Sequence, residues 1–592
     1  MHTIISILII LLSILTYPVF GQEDKRPNVI LILTDDQGIG DLGCHGNPWL
    51  KTPHIDQFYA EAVRLTDFHV SPMCTPTRSS IMTGQYPIHN GTWATYKGRD
   101  MLPPNTQTMA DIFQTNGYQT AMFGKWHLGD NYPSRPTDMG FQFAVHHKAG
   151  GVGELSDYWG NSYFDDTYFV NNEPEKFEGY CTDVWFGQAM DYIRSHQEDP
   201  FFVYLATNAP HSPHIVADEY ADPYRDLEEK GEIVNANFYG MIANIDENMG
   251  KLEAFLKEEG LYENTIVIYM SDNGSAAGIS RDGKTGYNMG FRGKKGQPTE
   301  GGHRVPFFIR WPHRGIMGGK DINSPTQHVD LIPTLVGLCD VEIPQGKLLD
   351  GRDISPLLTG REDKINGETL FIHHNQDWRV PRPITGTCIM NGKWRLVNGR
   401  SLYDVSKDRF QAHDLSNEYP HIKDRLMAEN AAFYEQASQR RTFKEMPVNI
   451  IGHGDQQEVT LTIQHAIGES SGIWKSEQVA QGMKNTNNKH AIQVASEGWY
   501  RISCQRWPKE CIGPIWGIPK KNPKGQFSYL PIKPEKVKIS IANQMMEKEI
   551  DASMIAVDFD VYLEQGKTFL VNDFVTGDEL FGVYYTYIVK MD

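Results

Sequence analysis

The sequence is poor in cysteine, has no surplus of positive charge, and has no apolar run after its first segment long enough to cross a membrane. Seven cysteines in 592 residues are too sparse for a disulfide-built scaffold. The formal net charge of −18 argues against nucleic acid or an anionic membrane surface as a partner. No later segment reaches the ~20 apolar residues of a spanning helix, which speaks against stable membrane insertion. Internal repeats, long low-complexity tracts and the Cys/His ligand spacing of a zinc site are also missing.

What is present begins with an export signal. Ile4 to Leu15 is almost wholly apolar and a polar stretch starts at Gln22. Val19 and Gly21 are small enough for the −3 and −1 positions of a cleavage site. Residues 1–21 are therefore expected to be removed, giving an exported chain, periplasmic or secreted. In such a chain an odd cysteine count leaves at least one thiol outside any disulfide set. Cys504 and Cys511 are close enough for a local pair, and Cys74 is the odd one out. The length predicts two or three domains, and 40% apolar residues are ample for large cores. The 12 Trp and 27 Tyr suit an extracellular hydrolase handling sugars or aromatics.

Several short apolar runs each end in polar residues. Asn28–Leu33 runs into Asp35 and Asp36, Phe201–Ala206 into Asn208 and His211, and Thr265–Met270 into Asp272 and Asn273. Unbroken β-rich runs are what strands buried on both faces look like. Helical patterns lie between them, so the fold class is α/β with a mostly parallel sheet flanked by helices. Ligands bind at the carboxyl ends of such strands, where these polar residues sit. This α/β domain is expected over 22–361. A smaller α+β subdomain follows over 362–446, and an appended β-rich, sandwich-like domain over 447–592.

Cys74-Thr75-Pro76-Thr77-Arg78 is the most specific segment. Pro76 fits the first turn of a helix and Gly84 its end. Cys74 then sits at a helix N-terminus, which favours negative charge, and Arg78 returns to the same face one turn on. A nucleophile, a guanidinium and a helix N-terminus converge there, as a tetrahedral oxyanion requires. The paired carboxylates Asp35 and Asp36, with Asp272 and Asn273, suit a hard cation that wants oxygen ligands. Lys125 and His127, flanked by glycines, project to one side of extended chain. His211 is able to work as an acid or base near neutral pH. An anionic substrate in so acidic a chain needs a locally cationic pocket.

These motifs resemble the type I, formylglycine-dependent sulfatases of the alkaline phosphatase superfamily, with bacterial polysaccharide sulfatases as the nearest likeness. The resemblance runs from about Arg26 to Leu426 and rests on C-x-P-x-R at Cys74, G-K-W-H-x-G at Gly124, A-P-H-x-P at Ala209 and K-x-x-x-x-E-G-G at Lys295. It implies conversion of Cys74 to formylglycine by a maturation enzyme. It also implies one calcium ion, or magnesium, held by Asp35, Asp36, Asp272, Asn273 and an oxygen of the modified Cys74. The catalytic set carried over is Cys74, Arg78, Lys125, His127, His211, Asp272 and Lys295. The implied reaction is removal of sulfate from a sulfated oligosaccharide or polysaccharide, an algal polysaccharide such as ulvan or a glycosaminoglycan. His146, His147, His303 and Arg304 are candidate substrate contacts. Two other readings share these residues: a phosphodiester or phosphonate monoester hydrolase of the same superfamily, and a non-catalytic binder of sulfated glycans.

Overall fold

The computed structural model describes residues 25–365, 367–519 and 527–591. The expected export signal at 1–21 lies outside the described residues. At the centre is a ten-stranded sheet. Strand Asn28–Thr34 lies between Phe201–Ala206 and Thr265–Ser271, and Gln119–Lys125 and Phe143–His147 continue beyond Phe201–Ala206. These five strands are parallel. Antiparallel strands finish both sides: Phe307–Arg310 and Val63–Leu65 on one, Thr167–Val170 and Glu173–Lys176 on the other. Asp321–Ile322 pairs in parallel with Val63–Leu65 at the first edge.

The alternation of side chains along Asn28–Thr34 shows why the run is apolar throughout. Val29, Leu31 and Leu33 enter one core with Ile81, Phe113 and Leu335 from helices on that face. Ile30 and Ile32 enter another with Phe186, Ile193, Met241 and Leu252 from the helices Cys181–Ser195 and Ala236–Glu258. Both faces are covered, so a polar residue has no place until the strand ends.

After this sheet comes a four-stranded antiparallel sheet, Leu370–His373 to Ser401–Asp404, with helix Pro420–Gln439 packed on it through Leu426. From Asn449 onward two further sheets face each other. Ile492, Ile539 and Leu570 from one meet Leu461, Ile502, Phe559 and Ile588 from the other in a single core. Leu155 and Trp159 from the first domain are buried in that same core. The expected Cys504–Cys511 disulfide is not formed. Cys504 is held inside its strand, where its thiol hydrogen-bonds Asn572 and Thr586.

Candidate active site

Register brings the carboxylates together. Thr34 pairs with Ser271 at the ends of two adjacent parallel strands, so Asp35-Asp36 and Asp272-Asn273 emerge side by side. Asp36 adopts φ 70°, a left-handed turn that Asp tolerates better than most residues. Its N–H donates to Asp272 Oδ1 at 3.1 Å. Gly274 passes so close to the next segment that a β-carbon would sit 1.9 Å from the Gly301 carbonyl oxygen, so no other residue fits.

The helix Cys74–Thr83 points its first residue at this corner, and all ten of its residues are buried. Gly84, at φ 69°, closes it by donating its N–H to the Ser80 carbonyl. Arg78 donates through Nε and Nη2 to Asp272 Oδ2 at 3.0 and 2.8 Å, and through Nη1 to the Lys125 carbonyl at 3.0 Å. Lys125 Nζ donates to Asp35 Oδ2 at 2.6 Å, and Lys295 Nζ lies 2.6 Å from Asp36 Oδ1. Asn273 Nδ2 donates to that same Asp36 oxygen at 2.8 Å. His211 Nε2 stands 3.8 Å from Asp36 Oδ2, while its Nδ1 lies 2.7 Å from the Ser212 carbonyl, which requires the proton on Nδ1. His127, at φ 56°, sets Nε2 3.2 Å from the Thr95 carbonyl and leaves a buried Nδ1 without a partner.

The charges shift one another. Burial raises Asp272 and Asp35 adds to it; Arg78 and Lys125 only partly offset them, leaving it at about 6. Burial also works to raise Asp36, but Lys295 and His211 outweigh it and hold this carboxyl well below the usual range. Burial raises the Cys74 thiol despite Lys125 and Lys295, so unmodified Cys74 is a protonated and poor nucleophile. Burial and Lys295 push His211 down to about 3, and burial with Lys125 lowers His127 well below its ordinary value.

Two buried oxygens at this corner, Asp35 Oδ1 and Asn273 Oδ1, have no donor among the described residues. The ligand atoms of Asp35, Cys74 and Asp272 lie within 4.8 Å of one another, as do those of Asp35, Asp36 and His211. Converging carboxylate and amide oxygens with unused lone pairs fit a hard divalent cation.

Thus Asp35, Asp36, Cys74, Arg78, Lys125, His127, His211, Asp272, Asn273 and Lys295 all gather at one place. Of the four candidate substrate contacts three are buried, and Arg304 is held in ion pairs. His147 is buried beside Lys125 and turns Nδ1 to the Lys148 carbonyl; His146, also buried, turns Nδ1 to the His147 carbonyl. His303 is fully buried against His69, with Nδ1 atoms 3.0 Å apart. Arg304 is locked between Glu300 and Asp67 at 2.7 and 3.0 Å. Its guanidinium is thus paired on two sides by carboxylates of the protein. One residue absent from the sequence reading stands at the site: Glu154. Gly150 and Gly151 thread between it and the two histidines. A β-carbon on Gly150 would lie 2.8 Å from His127 Nε2 and 3.2 Å from Glu154 Oε2. The glycine pair before Glu154 was the available signal for so close an approach.

A mostly parallel sheet gathers acids, bases and a helix-borne cysteine at its strand ends, and residues 27–341 match the family model described as Sulfatase. The chain belongs to the sulfatase family and is a hydrolytic sulfatase enzyme. It is similar to the ulvan-active sulfatase of Formosa agariphila, 31% identical over 383 residues covering 60% of this chain and 69% of that protein. It is also similar to the steryl-sulfatase of Rattus norvegicus, 28% identical over 452 residues covering 62% and 76%. Among solved structures, Ps i-CgsB in complex with k-i-k-neocarrahexaose matches with a TM-score of 0.63 and 26% identity, covering 71% of this chain and 95% of that one.

Proposed function

We propose that the enzyme removes sulfate from a sulfated carbohydrate, using formylglycine made from Cys74 as nucleophile. The observation that carries this reading is the ring of Arg78, Lys125 and Lys295 around Cys74 in a chain of net charge −18. The similar ulvan-active sulfatase and the carrahexaose-bound Ps i-CgsB support a polysaccharide substrate. Formylglycine, in its hydrated form, supplies two hydroxyls on one carbon, one to attack sulfur and one to expel sulfate. Asp35, Asp36, Asp272 and Asn273, with an oxygen of the modified residue, would hold a calcium ion, which supplies positive charge next to the attacking hydroxyl.

The chain's own residues do the rest. Lys125 and Lys295 take the sulfate oxygens, in a buried pocket where such charges act far more strongly than in water. Asp272, beside Cys74 at the same corner, takes the proton of the attacking hydroxyl. Arg78 fixes its orientation by two hydrogen bonds. His211 presents Nε2 to the pocket and delivers a proton to the departing sugar oxygen; the negative substrate raises its affinity for that proton. His127 takes the proton of the second hydroxyl. Export, with maturation by a formylglycine-generating enzyme, completes the reading.

The test is mass spectrometry of the Cys74 peptide from a host with the maturation machinery, paired with sulfate release from sulfated sugars. Conversion makes the peptide about 18 Da lighter, and Cys74→Ser abolishes turnover. An unmodified cysteine in a fully active enzyme, or full activity in Cys74→Ser, overturns the reading.

A further inference from the structure

We propose that Glu154, held in place by Gln464 of the C-terminal sandwich, accepts a hydrogen bond from a hydroxyl of the sugar that carries the sulfate. This rests on the carbohydrate reading above and assigns part of its specificity to the sandwich. Glu154 Oε2 accepts from the Gly150 N–H at 3.1 Å and from Gln464 Nε2 at 2.6 Å. Gln464 is itself oriented, because its Oε1 accepts from the Ser156 N–H at 3.3 Å. The backbone is fixed as well: Glu154 bridges to Lys475, and the Leu155 N–H donates to the Trp474 carbonyl at 2.8 Å. One carboxylate oxygen is therefore fully used by protein donors.

The other is not. Oε1 accepts no hydrogen bond from the described residues. A β-carbon built on Gly151 lies 3.3 Å from this oxygen and 3.6 Å from His211 Nδ1, so Oε1 faces the His211 side of the pocket. The other nitrogen of that imidazole, Nε2, is the one assigned above to the departing oxygen. Glu154 belongs to none of the groups able to hold a metal ion among the described residues. An immobilised carboxylate with one free oxygen beside a leaving-group histidine suits a neutral donor, and a hydroxyl next to the sulfated carbon is such a donor.

In Glu154→Gln the Gly150 and Gln464 donors claim the amide oxygen, so the amide NH₂ takes the place of Oε1 and the charged acceptor is lost. The experiment measures kcat/KM for sulfated monosaccharides and for 4-nitrophenyl sulfate, which has no hydroxyl, on matured wild type, Glu154→Gln and Gln464→Ala. The ratio of sugar to nitrophenyl activity is expected to fall ~10- to 100-fold in Glu154→Gln. In Gln464→Ala it falls less, and through KM. Equal losses on both substrates, or an unchanged ratio, overturn the proposal while the sugar activity of wild type keeps the carbohydrate reading intact. A wild type that cleaves nitrophenyl sulfate but no sulfated sugar takes down both.

Discussion

Replacing His465 by alanine should weaken the seat of the sandwich on the catalytic domain. His465 Nδ1 meets Asp100 Oδ2, and Nε2 stands 3.3 Å from Asp130 Oδ2. The two carboxylate side chains are only 3% and 12% exposed. Burial opposes charging the imidazole, yet Asp100 and Asp130 prevail and lift its pKa well above the ordinary value. Removing the cation strands two buried carboxylates, and breaking one partner from such a pair costs about 3–5 kcal/mol. For a unit of this size that is a melting-temperature drop of roughly 10 °C. Calorimetry of wild type and His465→Ala at pH 6 and pH 9 reads it directly. The raised pKa fixes the sign. Below the unfolded pKa of about 6.5 the imidazole is charged in both states and its contribution is complete. Above that, only the folded state keeps the proton, so the contribution shrinks by up to about 1.4 kcal/mol per pH unit until the folded pKa is reached. The gap between the two proteins should therefore narrow from pH 6 to pH 9. A gap below about 2 °C at pH 6, or one that widens with pH, would refute the reasoning.

Two more outcomes follow from the pocket. Lys295→Ala removes the cation on Asp36 and one charge from the sulfate pocket, so kcat/KM on any sulfate ester should fall roughly 100- to 1,000-fold in steady-state kinetics. Chelation of matured enzyme should abolish turnover and lower the melting temperature, with calcium restoring both; a chelated protein of unchanged activity and stability would remove the cation from the account.

The sheet and most of the site were legible in the sequence for one physical reason. Strands buried on both faces are apolar until they end, so Asp35, Asp272 and His211 stand out where the chain leaves the core. The cysteine helix was legible through Pro76 and Gly84, which have positional meaning. Glu154 was not, because its role depends on Gln464, some three hundred positions away, and no local pattern encodes that pairing. The partners of Arg304 and His303 were not legible either. Beside the Lys295 motif these two read as pocket residues, but the turn Glu300–His303 carries them inward to Asp67 and His69. Local sequence shows polarity; it does not show whether a buried partner is waiting.

The pairing of the lysines resolves how an acidic protein can bind an anion. In this structure Asp35, Asp36 and Asp272 face Arg78, Lys125 and Lys295, three charges against three. Each lysine is spent on a carboxylate, and a pocket so balanced has little pull on sulfate. A divalent cation on those carboxylates would compete with the lysine nitrogens for the same oxygens, leaving Lys125 and Lys295 able to turn to the substrate. The unused Asp35 Oδ1 and Asn273 Oδ1 show that the corner has coordination to spare even with the lysines in place. Attraction for the anion is then conditional on the cation, and the overall charge of −18 does not decide it.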